Sequence, residues 1–125
     1  MLFRSPLHSD VIEEVTLHSE RFEVTPENRD RMDRATRRIG VGTTSVRTME
    51  TLARGKTAGE TNLFLYPGVE FLATGAMLTN FHLPQSSLLV LVCAFAGRDV
   101  TLEAYRHAVE QKYRFFSYGD CMLIL

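Results

Sequence analysis

Residues 78–96 read LTNFHLPQSSLLVLVCAFA, and this stretch sets the fold expected for the chain. Its first half carries an amide, an imidazole and two hydroxyls, and a proline separates these polar groups from an almost wholly apolar segment. Ser86 is a good N-cap residue, so we expect a helix over about residues 88–96. The backbone amides at its start would face the same space as Asn80 and His82, which suits an anionic or polar ligand group.

Strand-like and helix-like segments alternate on both sides of this stretch. Thr25 and Pro26 are typical of the N-cap and first turn of a polar surface helix that reaches about residue 37. Before the opening stretch we expect one or two half-buried strands over 11–24, a short buried strand over 39–42 and an amphipathic helix capped by residues 43–45. A mobile loop over 54–62 follows, and then strands over 63–66 and 69–72 around a Pro67 and Gly68 turn. After the opening stretch we expect a helix over 101–112 and a strand over 115–118. This alternation predicts a single α/β domain over residues 1–125, built as a layered sheet with flanking helices.

Composition limits the classes of function. The 14 basic and 15 acidic residues give a formal net charge of -1, so an RNA partner would have to bind a local patch. Cys93 and Cys121 lack metal-type spacing and are expected to be reduced, which indicates a cytoplasmic protein. No continuous apolar region of signal-peptide length begins the chain, and the apolar run after Ser87 ends at Gly97, well short of the roughly 20 residues that cross a bilayer. We therefore expect no membrane partner.

A second polar cluster, GTTSVR at residues 42–47, lies where a strand is expected to meet a helix. It offers a glycine for close approach, the hydroxyls of Thr43, Thr44 and Ser45, and Arg47 one turn further on. Phosphate, carboxylate or ribose groups bind such junctions well. The cluster matches neither a Walker loop nor the dinucleotide fingerprint, and a capped helix with a solvated arginine explains it equally well.

Several titratable residues are candidates for chemistry. His82 can act as a general base because imidazole titrates near neutrality, although a histidine simply hydrogen-bonded within a loop is the more common case. Tyr118 and Asp120 end the last expected strand, where α/β folds place ligands, and an ordinary Gly-Asp turn is the alternative. His18 and Glu20 would share one strand face, either as an acid/base couple or as solvated side chains.

The first helix carries a candidate RNA contact. Arg31, Arg34 and Arg38 recur at helical spacing, but Asp30 and Asp33 dilute the patch and favour a salt-bridged solvent face. No set of histidine, cysteine and carboxylate residues has metal-ligand spacing, and the sequence has no nucleophile elbow.

Four motifs, taken in order, carry a family resemblance. They are GTTSVRT at 42–48, LFLYPG at 63–68, LTNFHLP at 78–84 and YRFFSYGD at 113–120, and the HSE of residues 18–20 resembles a fifth. Together they resemble the S-adenosylmethionine:tRNA ribosyltransferase-isomerase family of queuosine biosynthesis. The resemblance extends over nearly the whole chain beyond Val11, but it corresponds only to the C-terminal portion of that family. It implies part of the larger domain of a two-domain fold, without the N-terminal half and a β-barrel-like domain.

The resemblance also implies a reaction. The ribosyl group of S-adenosylmethionine, rather than its methyl group, is transferred and isomerised onto 7-aminomethyl-7-deazaguanine in tRNA. The product is epoxyqueuosine, and adenine and methionine leave. S-adenosylmethionine is a substrate, and no metal or other cofactor is implied. The expected partners are that tRNA, S-adenosylmethionine and the N-terminal half of the family's protein. The alternative is a truncated, non-catalytic module that binds S-adenosylmethionine or tRNA.

Motif position suggests a role for each candidate residue in that scheme. His82 is the expected base or proton shuttle, and Asp120 with Tyr118 is expected to orient the amine or a ribose hydroxyl. The methionine carboxylate or an RNA phosphate would be held by four residues, Thr43, Thr44, Ser45 and Arg47. Asn80 and Ser86 would add hydrogen bonds.

Overall fold

A computed structural model of the chain describes residues 17–125. The described elements are, in chain order, β1 (Glu20–Glu23), α1 (Pro26–Arg34), β2 (Ile39–Val41), α2 (Thr43–Ala53), β3 (Ala58–Thr61), β4 (Ala76–Asn80), α3 (Ser87–Ala96), α4 (Arg98–Glu110), a short 3₁₀ turn (Phe116–Tyr118) and β5 (Cys121–Ile124). The combination of sheets with flanking helices confirms the predicted α/β class. Within residues 17–125, no helix has the length and hydropathy needed to cross a bilayer.

The strands β2, β4 and β5 form the main sheet, in the order β2-β4-β5. β2 and β4 are parallel, with Val41 opposite Leu78, whereas β4 and β5 are antiparallel, with Asn80 opposite Cys121. β1 and β3 form a separate antiparallel pair. As a result, β2 and β4 end, and β5 begins, at the same end of the main sheet. We call this the carboxyl end.

Side chains from α2 and α3 pack against one face of the main sheet. The fully buried apolar residues of this core are Val46, Leu65, Met77, Leu91 and Val92. Gly40 permits the close approach of α2 to β2, because a Cβ atom at that position would overlap the side chain of Val46. A second cluster, formed by Phe81, Tyr105 and Ala108, packs α4 against the segment that follows β4.

A buried carboxylate ties α2 to the loop that leads into β4. Glu50 is fully buried and accepts hydrogen bonds from the amides of Leu72 (2.8 Å), Ala73 (2.9 Å) and Thr74 (2.9 Å). The Thr74 hydroxyl at 2.9 Å and the Arg54 guanidinium at 2.7 Å complete the set. Burial alone raises the pKa of Glu50, but these donors outweigh it and hold the pKa below its ordinary value. The start of β4 is thereby fixed to α2.

The helix predictions are largely confirmed. Thr25 caps α1 through its hydroxyl, although the helix ends at Arg34 rather than near residue 37. Ser86 caps α3 in the same way, accepting a hydrogen bond from the Leu89 amide at 3.2 Å. The last helix, α4, begins at Arg98, slightly earlier than the sequence suggests.

The start of α2 differs from the prediction. Gly42 is the N-cap and makes no side-chain capping bond, so the hydroxyl residues 43–45 lie within the first helical turn. The φ angle of Gly42 is 83°, a backbone conformation that favours glycine and explains why no hydroxyl residue occupies the cap. β2 is also less buried than expected, since Ile39 and Val41 are exposed and only Gly40 is buried.

Residues 63–66 and 69–72 form no strands, so that prediction is wrong. The turn between them is present, because the Val69 amide donates to the Tyr66 carbonyl at 3.0 Å. Leu65 is buried in the core, so the apolar character of this segment reflects the packing of a loop rather than strand pairing.

Strand pairing accounts for the other differences. The expected mobile loop over 54–62 contains β3, because its backbone pairs with β1. The expected strand over 115–118 is a 3₁₀ turn, and β5 follows it. β4 is absent from the prediction because its polar residues Thr79 and Asn80 do not look like part of a strand. Of the expected strands over 11–24, β1 is present, and residues 11–16 lie outside the described part.

Candidate active site

Three segments singled out from the sequence meet at the carboxyl end of the main sheet. The Gly42 amide donates to the Leu78 carbonyl at 2.8 Å, which joins the 42–47 junction to β4. Asn80 Nδ2 donates to the backbone carbonyl of Asp120 at 3.2 Å, which joins β4 to the turn before β5. The topology therefore places the junction, the end of β4 and the Asp120 turn side by side.

His82 lies just beyond the end of β4 and is half-buried. Its Nε2 atom is 2.8 Å from Thr79 Oγ1, and its amide donates to the Tyr105 hydroxyl at 2.8 Å. Burial lowers the pKa of His82 to about 4, so the ring is neutral at pH 7. When Nε2 donates to Thr79, the lone pair that can accept a proton is on Nδ1. This geometry suits a base and equally suits a hydrogen-bonded loop histidine.

The His82 segment is held by an aromatic cluster. Phe81 is buried, and its ring centroid lies 5.3 Å from that of Tyr105 and 5.2 Å from that of Phe115. Burial raises the pKa of Tyr105 to about 12, so its phenol stays protonated while it accepts the bond from the His82 amide. The imidazole is thus presented from a rigid backbone.

Asp120 presents an ionised carboxylate at the same end of the sheet. Arg114 donates to it from its amide at 2.5 Å and from Nε at 3.2 Å. The hydrogen bond from the Arg114 side chain is the main cause that lowers the pKa of Asp120 below its ordinary value, and the hydrogen bond from the Arg114 amide is the second cause. Gly119 adopts a φ angle of 133°, which favours glycine and forms the turn. Tyr118 is largely exposed beside it.

Arg47 is buried rather than solvated. Its Nη1 atom lies 3.0 Å from Glu20 Oε2, and its Nε atom is buried without a hydrogen-bond partner among the described residues. Glu20 therefore binds Arg47 and does not form a couple with His18, which is exposed. The ion pair attaches β1 to α2 at the last residue of the 42–47 junction.

The remaining candidates differ in exposure. Thr43 is buried, whereas Thr44 and Ser45 are exposed in the first turn of α2. Ser86 is used as a helix cap and also donates to the Leu83 carbonyl at 2.8 Å. Within residues 17–125, no hydrogen bond joins Ser86 to the other candidate residues, so the structure does not tie it to the three segments above.

The arginines of α1 form a salt-bridged solvent face, as the sequence favoured. Arg31 pairs with Glu27 at 2.8 Å and Arg29 approaches Asp33 at 3.9 Å, all with exposed side chains. Arg38 Nε instead donates to the carbonyl of Met32, a backbone partner. Of the three arginines in the RNA interpretation, Arg31 is paired with a carboxylate, whereas Arg34 and Arg38 donate to backbone carbonyls.

Three supporting residues were not singled out from the sequence, namely Thr79, Tyr105 and Arg114. The spacing of Thr79 and His82 is a local signal that could have revealed their contact, whereas the contact between His82 and Tyr105 spans two distant segments. No cluster of three or more histidine, cysteine or carboxylate side chains suited to a metal ion occurs in the described part of the chain.

Known proteins resemble this chain over almost its whole length. A family model described as "Queuosine biosynthesis protein" matches residues 3–124. The chain is 65% identical over 121 residues to an S-adenosylmethionine:tRNA ribosyltransferase-isomerase of Solibacter usitatus, covering 96% of this chain and 34% of that protein. It is 49% identical over 128 residues to the protein of the same name from Thermotoga petrophila, covering 96% of this chain and 38% of that protein.

A solved structure supports the fold. The S-adenosylmethionine tRNA ribosyltransferase of Thermotoga maritima aligns with a TM-score of 0.74 and 52% identity, covering 82% of this chain and 39% of that chain. The chain spans only about a third of the length of the curated relatives, at 34% and 38%, and matches the C-terminal portion of the family. It belongs to the queuosine biosynthesis protein family.

Proposed function

We propose that this chain provides part of the active site of an S-adenosylmethionine:tRNA ribosyltransferase-isomerase. In this reaction the ribosyl group of S-adenosylmethionine is transferred and isomerised onto 7-aminomethyl-7-deazaguanine in tRNA. Epoxyqueuosine forms, and adenine and methionine are released. The meeting of three sequence motifs at the carboxyl end of the main sheet carries the proposal. The names of the relatives support it.

His82 is the proposed base. The reaction requires removal of a C5′ proton, which the adjacent sulfonium makes acidic. A histidine with a pKa of about 4 is free of its proton at pH 7 and can accept one through Nδ1. The same burial makes it a weak base, so the acidity of the carbon next to the sulfonium has to supply much of the driving force. Thr79 fixes the orientation of the His82 ring, and Tyr105 fixes the backbone from which the ring projects.

Asp120 and Tyr118 are proposed to orient the tRNA amine or a ribose hydroxyl. An ionised carboxylate accepts strong hydrogen bonds from an ammonium group or a hydroxyl. Arg114 holds the Asp120 carboxylate in place while Tyr118 remains exposed to an incoming substrate.

The first turn of α2 is proposed to bind the methionine carboxylate or an RNA phosphate. Thr44 and Ser45 are exposed in that turn, Asn80 is exposed at the end of β4, and a helix N-terminus favours an anion. Arg47 is buried and paired with Glu20 through Nη1, so its direct role stays a prediction, as do the roles of Thr43 and Ser86.

In the proposed reaction S-adenosylmethionine is consumed as the ribosyl donor, and we assign no metal and no resident cofactor. The partners are tRNA that carries 7-aminomethyl-7-deazaguanine and the N-terminal portion of the family's protein. A cytoplasmic location and the absence of a membrane partner stay predictions.

The proposal is tested by joining the N-terminal portion of the Solibacter relative to this chain. The joined protein and the chain alone are incubated with S-adenosylmethionine and precursor tRNA, and the nucleosides are analysed by mass spectrometry. Epoxyqueuosine formed by the joined protein supports the proposal. In that protein His82→Ala is expected to lower the rate roughly a hundredfold or more, whereas His107→Ala, at an exposed position of α4, leaves it unchanged.

Two results would argue against the proposal. Near-normal turnover by the His82→Ala protein would remove His82 as the base. Binding of S-adenosylmethionine or tRNA without any product from the folded, joined protein would favour the non-catalytic binding module instead.

A further inference from the structure

One aromatic side chain beside the candidate active site takes no part in the packing around it. The segment 113–118 carries four aromatic rings. Three of them, those of Tyr113, Phe115 and Phe116, each lie within 6.5 Å of another aromatic ring, measured between centroids. Tyr118 makes no such contact in the described part of the chain and is 74% exposed. A large, flat ring with a polar tip is a common contact group at binding surfaces, so this ring is available to a ligand.

The backbone that carries Tyr118 is strained and is anchored to the His82 segment. Phe116 adopts a φ angle of 60°, in the left-handed region that a bulky side chain rarely occupies. Strain of this kind persists only where the surrounding structure holds it, and it concentrates at functional sites. Here the Phe116 amide donates to the Phe81 carbonyl at 3.0 Å, immediately before His82. The exposed ring therefore projects from a turn whose position is fixed relative to the candidate base.

The charges next to this turn cancel each other. The Arg114 guanidinium lies against Gly119, because a Cβ atom at that glycine would be 3.0 Å from Cζ of Arg114. The guanidinium pairs with Asp120 at 3.2 Å, and the Arg114 side chain is 66% exposed. Since the pair is neutral overall and the chain has a formal net charge of -1, neither provides the positive field that attracts a phosphate. The surface beside Tyr118 thus suits the uncharged face of a nucleobase better than a phosphate.

We propose that the Tyr118 ring stacks on a nucleobase that directly flanks 7-aminomethyl-7-deazaguanine in the substrate tRNA. The proposal rests on the proposed function, in which Asp120, two residues further along the chain, orients the substrate. A base that enters an active site leaves its place in the stack, so its neighbour loses a stacking partner. Aromatic side chains commonly take that place on unpaired RNA bases. Stacking on Tyr118 would hold the RNA strand in register with His82 and Asp120.

Fluorescence of 2-aminopurine in the RNA tests this proposal without any reaction. Two precursor tRNAs carry 2-aminopurine in place of the base on the 5′ side or on the 3′ side of 7-aminomethyl-7-deazaguanine. Each is titrated with the joined protein in the absence of S-adenosylmethionine. Tyr118→Phe keeps an aromatic ring without the hydroxyl, and Tyr118→Leu keeps an apolar side chain without a ring. Val109→Ala, at a 63% exposed position of α4, is the control.

Aromatic stacking quenches 2-aminopurine, so one of the two RNAs is expected to fluoresce less when bound to the unaltered protein or to Tyr118→Phe than when bound to Tyr118→Leu. Tyr118→Leu is also expected to weaken tRNA binding by about tenfold, as for the loss of one base stack, whereas Tyr118→Phe and Val109→Ala bind like the unaltered protein. Stacking involves no ion pair. The dependence of affinity on salt concentration is therefore expected to be the same for all four proteins.

Equal fluorescence of the unaltered and Tyr118→Leu complexes at both RNA positions would overturn the proposal. A loss of affinity in Tyr118→Phe as large as that in Tyr118→Leu would also overturn it, in favour of a contact through the hydroxyl. A weaker salt dependence in Tyr118→Leu would overturn it in favour of a phosphate contact.

Failure of this proposal is distinguishable from failure of the proposed reaction. Quenching that depends on Tyr118, without formation of epoxyqueuosine, would contradict the reaction alone. Formation of epoxyqueuosine without such quenching would contradict the stacking alone. If the joined protein does not fold, residues 113–120 of this chain replace the matching segment of the full-length Solibacter relative, and the same variants made there give the same outcomes.

Discussion

Two polar centres lie at opposite ends of β4 and use their hydrogen-bonding capacity differently. Before the strand, Glu50 is fully buried; its Oε2 atom accepts from Arg54 and from loop 72–74, and its Oε1 atom accepts from the loop only. After the strand, His82 engages one ring nitrogen with Thr79, while the other has no partner among the described residues. A saturated group stabilises the fold, whereas a group with an open nitrogen is available to a substrate.

Removal of the Glu50 carboxylate tests the structural half of this contrast most directly. Glu50→Ala leaves three amides and a hydroxyl without their acceptor and removes the carboxylate that pairs with Arg54, so we expect it to lower the free energy of unfolding by about 3–5 kcal/mol. Urea denaturation measures this loss. The control Glu103→Ala, at an exposed position of α4, is expected to stay within about 0.5 kcal/mol of the unaltered chain. Equal effects of the two substitutions would remove the distinction.

The Arg47 and Glu20 pair lies between the two extremes, because it is mostly buried but leaves Nε of Arg47 without a partner. Glu20→Ala leaves a buried guanidinium uncompensated and is expected to lower the free energy of unfolding by about 1–3 kcal/mol. Glu27→Ala removes the partner of Arg31 in an exposed pair and should lower it by less than about 1 kcal/mol. Comparable losses in urea unfolding would show that Glu20 contributes no more to stability than the partner in an exposed ion pair.

The His82 centre is expected to reveal itself through pH. Its folded-state pKa of about 4 lies below the ordinary value of 6.5, so the unfolded chain binds a proton more readily. The contribution of His82 to stability is therefore present above about pH 6.5 and is lost as the pH falls towards 4. The imidazole is only half-buried, so we expect a smaller effect than that of either buried carboxylate.

The difference between the unaltered chain and His82→Gln isolates this effect from other titrating groups. We expect urea unfolding midpoints of the unaltered chain to fall more steeply between pH 7 and pH 4 than those of the variant. Parallel profiles would mean that the imidazole is not desolvated, and that its neutral state at the end of β4 has no structural origin.

Local hydrogen bonding explains which parts of the structure the sequence predicts. Thr25 and Ser86 bond to amides within the first turn of their own helices, so their capping role is visible in a few neighbouring residues. β4 carries Thr79 and Asn80, and its strand conformation depends on pairing with β2 and β5, which are distant in the chain. Local patterns therefore predicted caps and helices better than they predicted strands.

The candidate site shows the same division. The order of the family motifs predicted which segments belong together, and the Asn80 contact with Asp120 joins two of them. The burial of Arg47 against Glu20 was not predicted, because an arginine one turn into a helix normally reaches solvent. Only the pairing of β1 with β3 and the packing of α2 bring the two charges together.

The Asp120 carboxylate offers the smallest and most specific test. The Arg114 side chain is the main cause of its lowered pKa, and the Arg114 amide adds to it. Arg114→Ala is expected to raise the pKa of Asp120 only part of the way to its ordinary value of 3.8, since the amide donor at 2.5 Å remains. A carbon-detected NMR titration of the side chain measures the change, and Arg106→Ala, on α4 away from this pair, is the control.

Salt sharpens that measurement because Arg114 is exposed. The contribution of its guanidinium should shrink as ionic strength rises, whereas the contribution of the short amide bond should persist. A pKa that does not respond to Arg114→Ala would mean that the backbone alone holds the carboxylate. Asp120 would then have its outer oxygen free for the substrate amine, and it would resemble the open nitrogen of His82 rather than the saturated carboxylate of Glu50.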